Sequence, residues 1–212
     1  MAESGAQMVF GVSVSGLVIL EAARTNPDIR KAALYEPALI LQKKSRQTAW
    51  LERFDHEMAA GQVSAALITS MLGLELGPPV FNRIPRRVLD ALNGMAMKSE
   101  EKKASDGAVT MRQYAPTLHY EGVLLRQGEA TLESYRDVVH AEVLLLGGSK
   151  GLEFLKPSRE ALSLTLPRSR NVELPGLDHG STGDPATTNR SGSAAKVALV
   201  ADQLRAFFGG TG

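Results

Sequence analysis

Val9-Phe10-Gly11-Val12-Ser13-Val14-Ser15-Gly16 is the stretch on which the reading of the chain turns. Met8-Val9-Phe10 is a short apolar run bounded by glycine, which predicts a buried strand, and the small and apolar residues from Ser15 to about Arg24 predict a helix. Between them lies a sharp bend centred on Ser13. Such a bend crowds the positions two before and two after its centre, and Gly11 and Ser15 supply small side chains there. A serine hydroxyl is a weak nucleophile until a neighbouring base takes its proton, and it must project clear of its backbone to reach a substrate. The bend meets the second need. The amide of Val14 falls at the N-terminus of the helix, where unpaired N–H groups and the helix dipole stabilise an oxyanion.

The chain beyond the bend alternates, is interrupted, and alternates again. Thr25-Asn26-Pro27-Asp28 is a stop and turn signal, and Lys31 to Pro37 reads as a second buried strand ended by proline. From about Leu39 to Pro116 the apolar residues Trp50, Phe54, Met58, Leu67, Met71 and Leu72 recur at helical spacings, with breaks at Gly61 and at Gly77-Pro78-Pro79. This predicts a helical insertion. The charged stretch from Met97 to Gly107 reads as a solvated helix end or loop. Glu142 to Gly148 is nearly continuous in branched apolar residues, as expected of a strand covered on both faces of a parallel sheet. A helix over about 152–166, a strand from Asn171 to Gly176, a long loop from Gly180 to Gly192 and an amphipathic helix from Ala194 to Phe208 complete the pattern, the last with Val197, Val200, Leu204 and Phe207 on its inner face.

The 212 residues suffice for one domain with a sizeable core and an insertion. Twenty-four basic against twenty-three acidic residues leave a net charge of +1, which provides no electrostatic footprint for nucleic acid or an anionic membrane. The expected partner is a small molecule. With no cysteine, disulfides, thiolate metal sites and a cysteine nucleophile are excluded. Met1 to Gln7 lacks the basic and apolar segments of a signal peptide, and no window reaches the roughly 18 apolar residues of a membrane span. A cytoplasmic location is the expectation.

A base for Ser13 must stand on a loop at the same edge of the sheet, and the C-terminal strand ends of a parallel sheet share one edge. His179, in Leu174-Pro175-Gly176-Leu177-Asp178-His179-Gly180 after the last strand, meets that condition. His56 lies in the helical insertion, His119 stands near its boundary, and His140 precedes a strand and falls at the opposite edge.

Gly11-Val12-Ser13-Val14-Ser15-Gly16, Leu34-Tyr35-Glu36-Pro37 before a helical insertion, Leu144-Leu145-Leu146-Gly147-Gly148, and Pro175 to Gly180 occur in an order that resembles the α/β-hydrolase superfamily from its nucleophile strand onward. The resemblance implies a partial α/β-hydrolase fold of about four mostly parallel strands flanked by helices. Residues 1–38 and 117–212 form the core and 39–116 a helical cap. It implies Ser13 as nucleophile, His179 as base and Val14 N–H as oxyanion donor, with no cofactor or metal. Three departures stand out. Gly-Val-Ser-Val-Ser carries a serine in place of the last glycine of Gly-x-Ser-x-Gly, and Ser149-Lys150-Gly151 holds no carboxylate where the family usually has its acid. Glu36, after the preceding strand, is the best substitute; Glu153 and Asp178 are weaker, one opening a helix and the other adjacent to the base. The strands and the oxyanion loop that precede the nucleophile strand in the family have no counterpart, and Met1 to Gln7 reads as the tail of a helix before it. The function expected is a serine hydrolase acting on an ester, amide or similar small apolar substrate through an acyl-enzyme. The alternative is a catalytically impaired or non-catalytic binding module of the same fold. Oligomeric state is left open.

Overall fold

A computed structural model describes residues 5–41, 49–77, 79–128, 132–137, 139–183 and 193–210. Along the chain these form β1 (Met8–Val12), α1 (Val14–Thr25), β2 (Lys31–Tyr35), α2 (Leu51–Ala59), α3 (Val63–Gly73), α4 (Arg86–Lys103), the short α5 (Met111–Tyr114), α6 (Thr117–Gly128), β3 (Glu142–Gly148), α7 (Lys156–Thr165), β4 (Ser169–Leu174) and α8 (Ala194–Gly209). They divide into two compact units, one of Met1–Leu41 with Gln127–Gly212 and one of Gln42–Arg126.

The first unit is a four-stranded, all-parallel sheet in the order β1-β2-β3-β4, the order of the strands in the chain. Parallel neighbours need covered crossovers, and α1 and α7 supply them for the outer pairs. All five residues of β2 are buried, and so are six of the seven in β3. Side chains alternate between the two faces. Ala33, Tyr35, Leu144, Leu146 and Leu174 gather on one face with Leu177 and Val200, and Leu204 and Phe207 of α8 pack against them. Residues of the opposite parity meet α1 and α7: a Cβ on Gly11 would approach Ile19, and one on Gly147 would run into Arg159. The sheet thus lies between two helical layers. Lys31, at the start of β2, donates from Nζ to the carbonyls of Phe207 (2.9 Å) and Gly210 (2.5 Å) and holds the last turn of α8.

The second unit is helical. Its core joins Trp50, Leu51, Phe54, Ala66 and Leu118, and Trp50 meets Phe54 edge to face with centroids 5.4 Å apart. A buried Glu57 holds it together electrostatically by accepting from Arg86 (2.9 Å), Arg53 (2.8 Å) and the Thr69 hydroxyl. This unit runs ten residues past Pro116, through most of α6, because Leu118 and Val123 belong to its core.

Several boundaries differ from those read in the sequence, each for a physical reason. β1 continues to Val12 because its pairing with β2 continues to Tyr35. β2 ends at Tyr35 because Glu36 leaves the strand with φ 45°. The helix over 152–166 is a 3₁₀ turn, Glu153–Leu155, followed by α7, with Pro157 in the first turn where a missing N–H costs nothing. Met97 is buried, so the solvated end of α4 begins after it. Gly5 to Gln7 are not helical, and residues 1–4 lie outside the described residues, as do 184–192 of the long loop after His179. Among the described residues no helix is long and apolar enough to cross a membrane.

Candidate active site

Ser13 occupies the bend between β1 and α1 in a conformation that side chains avoid, φ 55° and ψ −124°. A non-glycine residue held there stores about 1–3 kcal/mol of strain and persists only where its surroundings enforce it. The enforcement is visible in the backbone. Ser13 N–H donates to the Tyr35 carbonyl (2.9 Å), and its own carbonyl accepts from Gly16 (2.9 Å) and Ala38 (3.1 Å). Gly11 is required two residues earlier, since a Cβ there would stand 2.5 Å from Ile19 Cδ1 and 3.0 Å from the Ser15 carbonyl. Val14 is the first residue of α1, so its N–H is among those a helix leaves without an internal partner.

Glu36 stands one strand over. Val12 pairs with Tyr35, so the residues that follow them, Ser13 and Glu36, leave adjacent strands at the same edge. Glu36 N–H donates to the Leu146 carbonyl (2.8 Å), carrying the sheet's bonding one residue past β2. Of the three non-glycine residues with positive φ among the described residues, two are Ser13 and Glu36. Glu36 is buried, 4% exposed. Its Oε1 accepts from Gly148 N–H (3.0 Å) and its Oε2 meets His179 Nδ1 at 2.7 Å. A buried carboxylate is tolerable when its oxygens are bonded in this way.

His179 begins a 3₁₀ turn, His179–Thr182, after β4. The turn is fixed from three sides. Asp178 and Ser181 form a reciprocal capping pair, Asp178 accepts from Lys196 Nζ of α8 (2.7 Å), and the carbonyl of Asp178 accepts from the Tyr35 hydroxyl (2.8 Å). Burial works to raise the Asp178 carboxyl, but the bonds from Lys196 and Ser181 and the Lys196 charge outweigh it and hold the group below its usual range. The Tyr35 phenol is pushed up by burial first and by the Glu36 charge second, so it stays a donor. A carboxylate oxygen can only accept, so a neutral His179 that bonds it through Nδ1 places its proton there and leaves the lone pair on Nε2.

The structure therefore joins Glu36 to His179 and ties the backbone of Ser13 to both sides of Glu36. Asp178 is engaged with Lys196 and Ser181, and Glu153 is exposed and paired with Lys156 (2.7 Å). His119 bonds Asp55 at 2.8 Å inside the helical unit, and His140 is exposed at the N-terminal end of β3. Three residues of this region escape sequence reasoning. Tyr35 anchors the His179 turn, the Gly148 amide holds the carboxylate, and Gly151 makes room for it. No local pattern marks them, because each acts on a residue far away in the chain. Arg159 lies beside Gly147 and bonds Glu173 (3.0 Å), and with Leu152 and Leu155 it lines a small recess behind Glu36 and Gly148. Among the described residues no group of three or more His, Asp or Glu side chains is arranged to hold a metal ion.

No family model and no curated protein matches the sequence. Solved structures do match in three dimensions. An α/β hydrolase from Sphaerobacter thermophilus aligns with a TM-score of 0.67 at 20% identity, over 98% of this chain and 69% of the other. An acetylester hydrolase from Corynebacterium glutamicum gives 0.58 at 15% identity, over 96% and 61%. An α/β hydrolase enzyme from a Medee basin deep-sea metagenome library gives 0.56 at 11%, over 97% and 66%. The chain spans about two thirds of the length of these structures. Likeness at such identities is likeness of fold: with four parallel strands between helical layers, this chain has part of the α/β-hydrolase fold.

Proposed function

We propose that the chain is a serine hydrolase that cleaves an ester, amide or similar small apolar substrate through an acyl-enzyme. The observation that carries the reading is the 2.7 Å contact between His179 Nδ1 and the buried Glu36 carboxylate, at the sheet edge where Ser13 is held in a strained bend. His179 Nε2 takes the Ser13 proton as Oγ bonds to the substrate carbonyl carbon. The oxyanion that forms is held by Val14 N–H with the aid of the α1 dipole. The bond to the leaving alcohol or amine breaks as Nε2 returns the proton to it. Water then adds to the acyl carbon, gives its proton to Nε2, and the acyl–Oγ bond breaks with the proton restored to Ser13. Glu36 orients the ring throughout and stabilises the imidazolium without taking its proton. The helical unit Gln42–Arg126 occupies, in chain order, the place of a cap inserted between β2 and β3, and we assign it the selection of substrate. An ester is the first substrate to try, since the fold is shared with an acetylester hydrolase.

A fluorophosphonate that bonds covalently to activated serines tests the proposal directly. The wild-type chain is expected to take one label, on Ser13, and Ser13→Ala to take none. Labelling that survives Ser13→Ala refutes the assignment. A folded wild-type chain that takes no label refutes catalysis and favours a non-catalytic binding module.

A further inference from the structure

The turn after β3 contains a glycine whose role is set by a residue from the other side of the site. Gly151 closes a turn by donating its N–H to the Gly148 carbonyl (3.0 Å). Its backbone is one that any residue can adopt, since it is absent from the positive-φ glycines among the described residues. Conformation therefore does not call for glycine. Space does. A Cβ built on Gly151 has the Glu36 side chain as its three nearest neighbours, with Cδ at 2.6 Å, Oε2 at 3.0 Å and Oε1 nearer than either. The carboxylate occupies the volume a side chain at 151 would need.

To step aside it would have to give up its bonds. One oxygen is bonded to Gly148 N–H and the other to His179, and the backbone that carries it is fixed by the bond from Glu36 N–H to Leu146. We propose that Gly151 is a positioning residue for Glu36: the missing side chain in the turn after β3 is what allows an acid borne on β2 to reach His179 with both oxygens engaged. This rests on the reading of Glu36 as the acid partner of a catalytic His179. The two strands have thus divided one task. The end of β2 supplies the carboxylate, and the end of β3 supplies an amide donor at 148 and an empty site at 151.

The test is a mutational cycle on the whole chain, with Gly151→Ala made alone and in the Glu36→Ala and Glu36→Gln backgrounds. Three readouts are used: thermal melting, the downfield proton resonance of His179 Nδ1–H bonded to a carboxylate, and hydrolysis of p-nitrophenyl acetate. Alone, Gly151→Ala is expected to abolish the downfield resonance, to slow hydrolysis at least tenfold, and to lower the melting temperature by roughly 2–10 °C, the range for overpacking in a chain of this size. In Glu36→Ala, where the carboxylate is gone, the same substitution should shift melting by less than about 1–2 °C. In Glu36→Gln, which keeps the volume, the cost should return. Should Gly151→Ala fail to fold, a folded Glu36→Ala/Gly151→Ala double variant supports the proposal, and an unfolded one overturns it. An equal cost in all backgrounds, or an unchanged resonance in Gly151→Ala, also overturns it. Wild-type hydrolysis in Glu36→Ala instead refutes the catalytic role of Glu36, while the steric coupling in the melting data is judged separately.

Discussion

Removing the hydroxyl of Tyr35 is the cleanest perturbation of the site that leaves its reacting groups untouched. Tyr35 is fully buried in the sheet core, and its ring packs in the cluster of Leu144, Leu146, Leu174 and Leu177. Tyr35→Phe keeps that packing and deletes the phenol's bond to the Asp178 carbonyl at 2.8 Å together with its interaction with Ser181. A neutral bond of this kind contributes about 0.5–1.5 kcal/mol net, and leaving its acceptor unpaired in a partly buried setting brings the total to about 1–2 kcal/mol. For a chain of this length that corresponds to a fall of about 2–8 °C in melting temperature, read by calorimetry or circular dichroism. The carbonyl released belongs to the residue before His179, so ester hydrolysis is expected to slow while phosphonate labelling still occurs at Ser13. Melting within about 1 °C of wild type would refute the anchoring role, and a loss above about 4 kcal/mol would show that packing had been disturbed and not the hydroxyl's bonds alone.

Glu36→Gln should leave the fold intact but present an amide N–H to His179 Nδ1, inverting the tautomer so that Nε2 no longer accepts a proton; hydrolysis is expected to fall by roughly three to four orders of magnitude, and a loss below tenfold would refute the role of Glu36. The Asp178 carboxyl is held below its unfolded value, so the stability it adds is complete above the usual Asp pKa of about 4 and is lost as pH falls through the folded value. The melting gap between wild type and Asp178→Asn should therefore be wide at pH 6 and close in acid, and a gap independent of pH would contradict the assignment. Lys31→Met removes a cation from the C-terminus of α8 and two bonds to its last carbonyls, for an expected loss of about 1.5–3 kcal/mol. Unchanged melting in that variant would show that α8 is held by its apolar face alone.

What could be read from the sequence, and what could not, follows from how far apart the cooperating residues lie. The strands were legible because Ala32 to Tyr35 and Val143 to Leu146 are uninterrupted apolar runs, the mark of a sheet covered on both faces. The bend at Ser13 was legible because its steric demands fall on Gly11 and Ser15, within the same five residues. The parallel rule then placed Glu36 and His179 at the edge of Ser13 without saying that they touch. Their contact spans 143 residues of chain, and the bond from Gly148 to Glu36 spans 112. Nothing local encodes such contacts. Gly151 reads as an ordinary turn glycine until the carboxylate is seen beside it, and Tyr35 as an ordinary core aromatic until its hydroxyl is traced to Asp178. The end of β2 was misjudged for the same reason, since Glu36 turns out of the strand to satisfy partners on β3 and beyond β4.

The position of β1 at the rim of the sheet has a mechanical consequence for the serine it delivers. Gln7 and Ser13 both bond toward β2, and by alternation so do Val9 and Gly11, whereas Met8, Phe10 and Val12 direct their amides away from it. Among the described residues no strand lies on that outer side, and Met8 and Phe10 are exposed there. Among the described residues the strand is bonded along one margin, and the bond from Ser13 N–H to the Tyr35 carbonyl pins its tip to β2, the strand that Glu36 follows. Ser13 and Glu36 are therefore tied to one support, the end of β2.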